Sequence, residues 1–194
     1  IGGYAALVLC GDQSDYTSNY TITGNNFQGM EYYPLSLQYV EDVTIDRNYF
    51  GLTTASYPTA ALYFSYVDNV DVSANEIFSG ERGIYCNRVS AKGGERSEII
   101  NNMIVSDDDG MYLGNSGKMN IFHNSVRSSD AGIYGSNVED SVRYINNIFV
   151  GLDVAVNISP AIQASSEMNY NIYEAGSSSA LALINSSAYL DLTA

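Results

Sequence analysis

Val43-Thr44-Ile45-Asp46-Arg47-Asn48-Tyr49-Phe50 and Val70-Asp71-Val72-Ser73-Ala74-Asn75-Glu76-Ile77 are one pattern written twice: apolar residues five and three positions before an asparagine, and another two after it. The frame returns at Asn25, Asn102, Asn124, Asn147 and Asn171, giving successive spacings of 23, 27, 27, 22, 23 and 24 residues. Three before the anchor stand Ile22, Ile45, Val72, Ile99, Ile121, Tyr144 and Met168; two after it stand Phe27, Phe50, Ile77, Ile104, Val126, Phe149 and Tyr173. Apolar residues on alternate positions describe a strand with one buried face. The fifth position before the anchor obeys the alternation except at Ser97 and Ser166. A unit of this length cannot bury its apolar face alone, so the units must stack as a solenoid.

The same block fits a leucine-rich repeat, whose spacing overlaps this one. A second strand argues against that alternative. Nine residues after the anchors come Ile84-Tyr85-Cys86, Met111-Tyr112-Leu113, Ile133-Tyr134-Gly135 and Val156-Asn157-Ile158, the first three directly after Gly83, Gly110 and Gly132. A leucine-rich repeat places helical structure there, whereas these stretches are rich in Gly, Ser, Asn, Asp and β-branched residues, which are poor helix formers. The expectation is an all-β, right-handed parallel β-helix solenoid of about seven to eight coils, forming a single domain over 1–194, with an asparagine ladder at one turn.

On these repeats the chain resembles the right-handed parallel β-helix repeat family, the fold of pectate lyases and of many bacterial surface proteins. The resemblance implies that the anchor occupies the tight turn between the second and third strands of each coil. Asparagine suits a ladder because it tolerates left-handed backbone and its amide can bond both backbone and the next asparagine. The stretch Asn169-Tyr170-Asn171-Ile172-Tyr173, the Gly/Ser run after it and Ser187 to Leu192 resemble the close of β-helix segments in long secreted bacterial proteins. Bare sheet edges at solenoid ends need covering, so the chain reads as a piece of a longer polypeptide or a unit covered by other copies of itself.

Composition narrows the partners. With 22 acidic and 8 basic residues, the net charge of −14 opposes binding to nucleic acid, which needs Lys and Arg to neutralise phosphates, and to anionic membranes. No apolar run reaches the length of a transmembrane helix. Cys10 and Cys86 fall about three coils apart at roughly 4.8 Å per coil, too far for a disulfide. Two Cys and the single His123 cannot complete a zinc site.

The chemistry-bearing positions sit six residues after the anchors: Glu31, Thr54, Glu81, Asp108, Asp130 and Asp153, with Asp107 and Asp109 flanking Asp108. Stacked carboxylates about 5 Å apart repel by roughly 1 to 3 kcal/mol per pair. Solvent, splayed side chains, basic neighbours or a cation must offset this: the column is either a solvated turn whose Asp and Glu serve backbone hydrogen bonding and solubility, or a calcium site formed by Glu81, Asp108, Asp130 and Asp153. Ser106-Asp107-Asp108-Asp109-Gly110 also resembles the paired aspartates of β-helix polygalacturonases, in which one carboxylic acid protonates the leaving oxygen and another activates water. That family's Asn-Thr-Asp, Gly-His-Gly and Arg-Ile-Lys motifs are absent here.

Four of the eight basic residues, Arg82, Arg88, Lys92 and Arg96, crowd one repeat, where they would compensate the acidic column or line a binding loop. A parallel stripe of Tyr63, Tyr85, Tyr112 and Tyr134 should face outward, as a binding surface for sugar rings or a flat protein partner, or as a ladder in which the rings cover one another. Two functions follow as expectations. One is a secreted or cell-surface module with a structural, adhesive or carbohydrate-binding role, whose partners are polysaccharide or further copies of itself. The other is a polysaccharide lyase or glycoside hydrolase, with Asp107, Asp108, Asp109, Asp130 and Arg82 as its catalytic candidates.

Overall fold

The computed structural model describes residues 5–52, 59–139, 141–160, 166–176, 181–184 and 187–189. Thr54 and the Gly/Ser run at 177–180 lie outside these residues, as do Asn185, Ser186 and 190–194. The described chain is a right-handed parallel β-solenoid of about seven turns. Each complete coil contributes a strand before the anchor, such as Met119–Phe122, a strand after it, such as Ser125–Ser128, and a third strand, such as Ala131–Val138.

The strands after the anchors form a seven-stranded sheet running from Asn26–Met30 to Ile172–Ala175. The other two faces belong to one 14-stranded sheet, because Tyr33–Asp46 and Ala60–Ser73 run unbroken from the third strand of one coil into the first strand of the next. Both long strands turn the corner at residues with positive φ, Tyr39 and Asp42 in one and Tyr66 and Asn69 in the other. Among the described residues the named strands pair in parallel except for Ser187–Tyr189, which runs antiparallel to Ala182–Ile184, and Asp12 and Asp15 form one isolated antiparallel bridge.

Register holds the frame. Ile45, Val72 and Ile99 pair in sequence, as do Ile77, Ile104, Val126 and Phe149 on the opposite sheet. All of these side chains are fully buried, and each such burial contributes about 1.5–3 kcal/mol. At the two ends Phe27, Met168 and Tyr173 are half-buried, each still packed on the core. Ser97, an apparent exception, is buried: its hydroxyl accepts the Val70 N–H and donates to the Ser90 carbonyl.

The anchors make the ladder. Asn102 Oδ1 accepts both the backbone N–H of Asn75 and its Nδ2, and Asn102 Nδ2 donates to the carbonyl of Val72 and to Asn124 Oδ1. The same bonds recur from Asn25 to Asn171. The left-handed backbone, however, is not at the anchors but one residue earlier: Gly24, Arg47, Ala74, Asn101, His123, Asn146 and Tyr170 all have positive φ. Asparagine is therefore required for its amide, and the preceding residue absorbs the turn.

Gly83, Gly110 and Gly132 are explained by crowding. A Cβ at Gly110 would lie 2.2 Å from Val126 Cγ1 and 2.5 Å from the Gly132 carbonyl oxygen, and one at Gly83 would meet Ile104 and Gly110 in the same way. In these three coils the acidic turn enters the third strand over glycine, and the flanking coils place the small residues Ala61 and Ala155 at the same register.

Candidate functional site

The third strands carry the site. Tyr63, Tyr85, Tyr112 and Tyr134 are in register, and the inward-pointing residues on either side of them hold their side chains outward and half-buried. Their rings stack at centroid distances of 5.0, 4.7 and 5.5 Å with interplanar angles of 3°, 6° and 12°. Such a stack turns the ring faces on one another, so the row presents edges and hydroxyls to solvent. Burial, then the neighbouring Tyr112 and Tyr63 hydroxyls, push the Tyr85 hydroxyl above its ordinary pKa. Beside the row on the same face run Ser65, Asn87, Gly114 and Ser136, a column of small and amide groups.

At the other flank lies the acidic turn. The column is real: the Asp108 N–H donates to the Glu81 carbonyl, and the Asp153 N–H to that of Asp130. The side chains gather differently from the backbone. Carboxylate oxygens of Asp108, Asp109 and Asp130 lie within 4.8 Å of one another. Asp107 is exposed at the turn, and Glu81 is taken up by the backbone N–H of Thr59. The three-aspartate group is an all-oxygen set that could coordinate a metal ion, a chemistry consistent with calcium without being specific to it.

Arg82 answers this charge. Its Nε donates to Asp109 at 3.1 Å, its Nη2 pairs with Asp108 at 3.2 Å, and its guanidinium lies 5.8 Å from the centroid of Tyr85 and 5.2 Å from that of Tyr112. Aromatic row and acidic turn are thus joined through one cation. Asp109 is only 4% exposed, and burial, reinforced by Asp108 and Asp130 against the pull of Arg82, raises its pKa to about 6. Asp130 is raised as well, by burial and then by Asp108 and Asp153.

The remaining cations of that repeat serve other places. Lys92 pairs with Glu41 and Asp68, Arg96 donates to the Ser141 carbonyl, and Arg88 donates to the Tyr66 hydroxyl. Of the four, Arg82 alone compensates the acidic column in the described structure. A second aromatic group escaped the sequence reading: Tyr16, Tyr39 and Tyr66 follow one another along the corner, with Lys92 over Tyr16 at 4.5 Å and Arg88 over Tyr66 at 4.9 Å. Tyr39 and Tyr66 reach it through their positive φ, which periodicity does not reveal.

Neither the histidine nor the cysteines join the oxygen cluster, and Met103 is exposed on the opposite sheet. Cys86, Met111 and Met119 are sealed in the core, Cys10 is exposed on the strand Ala5–Cys10, and His123 occupies a left-handed turn beside the ladder. Cys10 and Cys86 are both free thiols, and burial raises the Cys86 pKa far above its ordinary value. Among the described residues no helix is long and apolar enough to cross a membrane.

No curated protein and no solved structure gives a significant match to the chain. A family model does: residues 14–178, which include all seven anchors and the whole of the site, match the family described as periplasmic copper-binding protein (NosD). With most of its length covered by that model, the chain belongs to the NosD family.

Proposed function

We propose that this chain is an exported glycan-binding module whose tyrosine face docks an extended sugar chain running along the solenoid axis. The observation that carries the proposal is the row of four tyrosines locked in register on one face, flanked by Arg82 and the aspartates on one side and by Ser65, Asn87 and Ser136 on the other. Coils repeat at about 4.8 Å, close to the advance of one sugar residue in an extended glycan, so hydroxyls and amides recur in step with the ligand. Binding would then be multivalent and individually weak, with edges and hydroxyls rather than ring faces making the contacts. The periplasmic setting in the family's description supports an exported location. Retention on a panel of neutral and acidic polysaccharides tests the reading: paired Tyr85→Ala and Tyr112→Ala changes should weaken retention at least tenfold. Undiminished retention, or none by the unaltered chain, would overturn it.

Copper, the metal in the family's description, does not fit these residues. Copper favours imidazole, thiolate and thioether donors, and among the described residues neither His123 nor either cysteine joins a group of potential ligands with the oxygen cluster. Any metal at Asp108, Asp109 and Asp130 would be a hard cation.

A second reading, glycosidic-bond hydrolysis, has one specific observation in its favour. Asp109, raised to about 6, lies beside Asp108 and Asp130, a division of environments that suits an acid working with a carboxylate. Reducing-sugar release that disappears in Asp109→Asn while polymer retention persists would establish it. Retention without release leaves a binding module.

A further inference from the structure

The tyrosine stack ends abruptly on one side. Tyr63 lies parallel to Tyr85, but Tyr33 crosses Tyr63 at 47° with the centroids 4.8 Å apart, so the stack fans open there. Ala60 stands beside Arg82 in register and offers no bulk to fill the gap. The result is a cavity of about 210 Å³ lined by Tyr33, Thr59, Ala60, Tyr63, Arg82 and Tyr85.

One wall of this cavity holds an unsatisfied group. Thr59 is 1% exposed, and its hydroxyl has no hydrogen-bond partner among the described residues. A buried hydroxyl without a partner costs stability, and a ligand hydroxyl in the cavity would supply what it lacks. The lining follows the pattern of a small-molecule site, with mostly apolar walls and a few convergent polar groups. The volume lies below the roughly 300–1,000 Å³ of pockets for drug-sized ligands, leaving room for a single ring rather than a chain.

Charge selects the kind of ring. The Arg82 guanidinium is already engaged by Asp108 and Asp109, and Glu81 is bonded to the Thr59 N–H at the cavity's edge. No net positive charge is left over for an anion, since the one cation lining the cavity is already paired with two carboxylates. A neutral pyranose offers an apolar C–H face to the tyrosines and hydroxyls to Thr59 and Arg82.

We infer that the cavity between Tyr33, Tyr63, Thr59 and Arg82 is a subsite for one neutral pyranose ring, which fixes one end of the bound glycan. This rests on the glycan-binding reading of the tyrosine face and adds to it a place that discriminates between sugars.

The test uses the methyl pyranosides of glucose, galactose and mannose, with methyl glucuronide as the charged counterpart, observed by saturation-transfer NMR and titration. At least one neutral pyranoside should bind, and the glucuronide at least tenfold more weakly. Thr59→Val keeps the shape and removes the hydroxyl. It should weaken binding about tenfold while the unfolding midpoint stays level or rises, a combination that a purely structural threonine would not give. Ala60→Leu fills the cavity and should abolish binding, whereas Arg127→Ala, on the opposite sheet, should leave it unchanged. The inference is overturned if no neutral pyranoside binds, if the glucuronide binds as well, or if both cavity variants bind as the unaltered chain does. Polymer retention without pyranoside binding would refute the cavity and spare the tyrosine face. Thr59-dependent pyranoside binding without polymer retention would do the reverse.

Discussion

Replacing Asn102 by alanine isolates the contribution of the ladder. The Asn102 side chain bonds two buried backbone groups: the Val72 carbonyl, within a paired strand, which accepts from its Nδ2 at 2.9 Å, and the Asn75 N–H in the turn, which donates to its Oδ1 at 3.0 Å. The neighbours lose less. Asn124 Oδ1 keeps the backbone N–H of residue 102, Asn75 Nδ2 keeps the Ile45 carbonyl, and the Ile100 carbonyl keeps the Ala74 N–H. The Asn75 N–H left unpaired costs about 1–3 kcal/mol and the lost bond to Val72 about 1 kcal/mol, an expected loss of about 3 kcal/mol. For a chain of this size that corresponds to a fall of roughly 6–12 °C in unfolding midpoint. Asn25 is the control, because it is exposed and its side chain donates only to the Thr23 carbonyl and Asn48 Oδ1. Asn25→Ala should cost below about 1 kcal/mol. Denaturation followed by far-UV circular dichroism, with amide exchange at Asn75 as a local reading, measures both. Equal losses at the two positions, or a loss below about 1 kcal/mol at Asn102, would show that strand pairing holds the coils without the ladder.

Three further outcomes follow from the same geometry. Ala74 adopts a φ of 52°, so Ala74→Gly should relieve left-handed strain and stabilise by about 0.5–1 kcal/mol; a destabilised variant would contradict the turn assignment. Gly110→Ala should cost on the order of 2 kcal/mol through contact with Val126 and Gly132, and a variant as stable as the parent would refute the crowding. Burial raises the Asp109 pKa from an ordinary 3.8 to about 6, so between about pH 4 and 6 the native state holds a proton that the unfolded chain has released. Its contribution is present below about pH 4 and lost as pH rises through about 6, on the order of 3 kcal/mol in all. In chelator, Asp109→Asn should flatten that slope, and a slope of the opposite sign would reject the buried, proton-binding assignment.

The inward half of the molecule was legible because the frame repeats. Ile45, Val72 and Ile99 must point the same way once their anchors are aligned, and the tyrosine row followed from the same register. What escaped was set by turns. Gly24, Arg47, Ala74, Asn101, His123, Asn146 and Tyr170 share a left-handed backbone and no common chemistry, so no residue preference marks the position. Among Asp107, Asp108 and Asp109, strand alternation would put the first and third on one side, yet the turn exposes Asp107 and buries Asp109. The Thr59 cavity lay beyond periodicity altogether, since it depends on Tyr33 turning out of the tyrosine stack beside Ala60, which the repeat does not reveal.

That division between frame and surface bears on copper. Ladder and inward residues recur in every coil, so a family match over residues 14–178 is weighted towards positions that any member must fill in order to fold. Ligands sit on outward positions and at turns, which the frame leaves free to change. Membership therefore constrains the scaffold strongly and the cargo weakly. In this chain the outward positions beside the acidic turn are filled by oxygen donors and tyrosines, and the one histidine stands in a turn. Titration with Cu(II), and with Cu(I) under reductant, should show no saturable site that survives Cys10→Ser and His123→Ala. Stoichiometric copper remaining in that double variant would place the metal on residues of another kind and overturn the argument from donor chemistry.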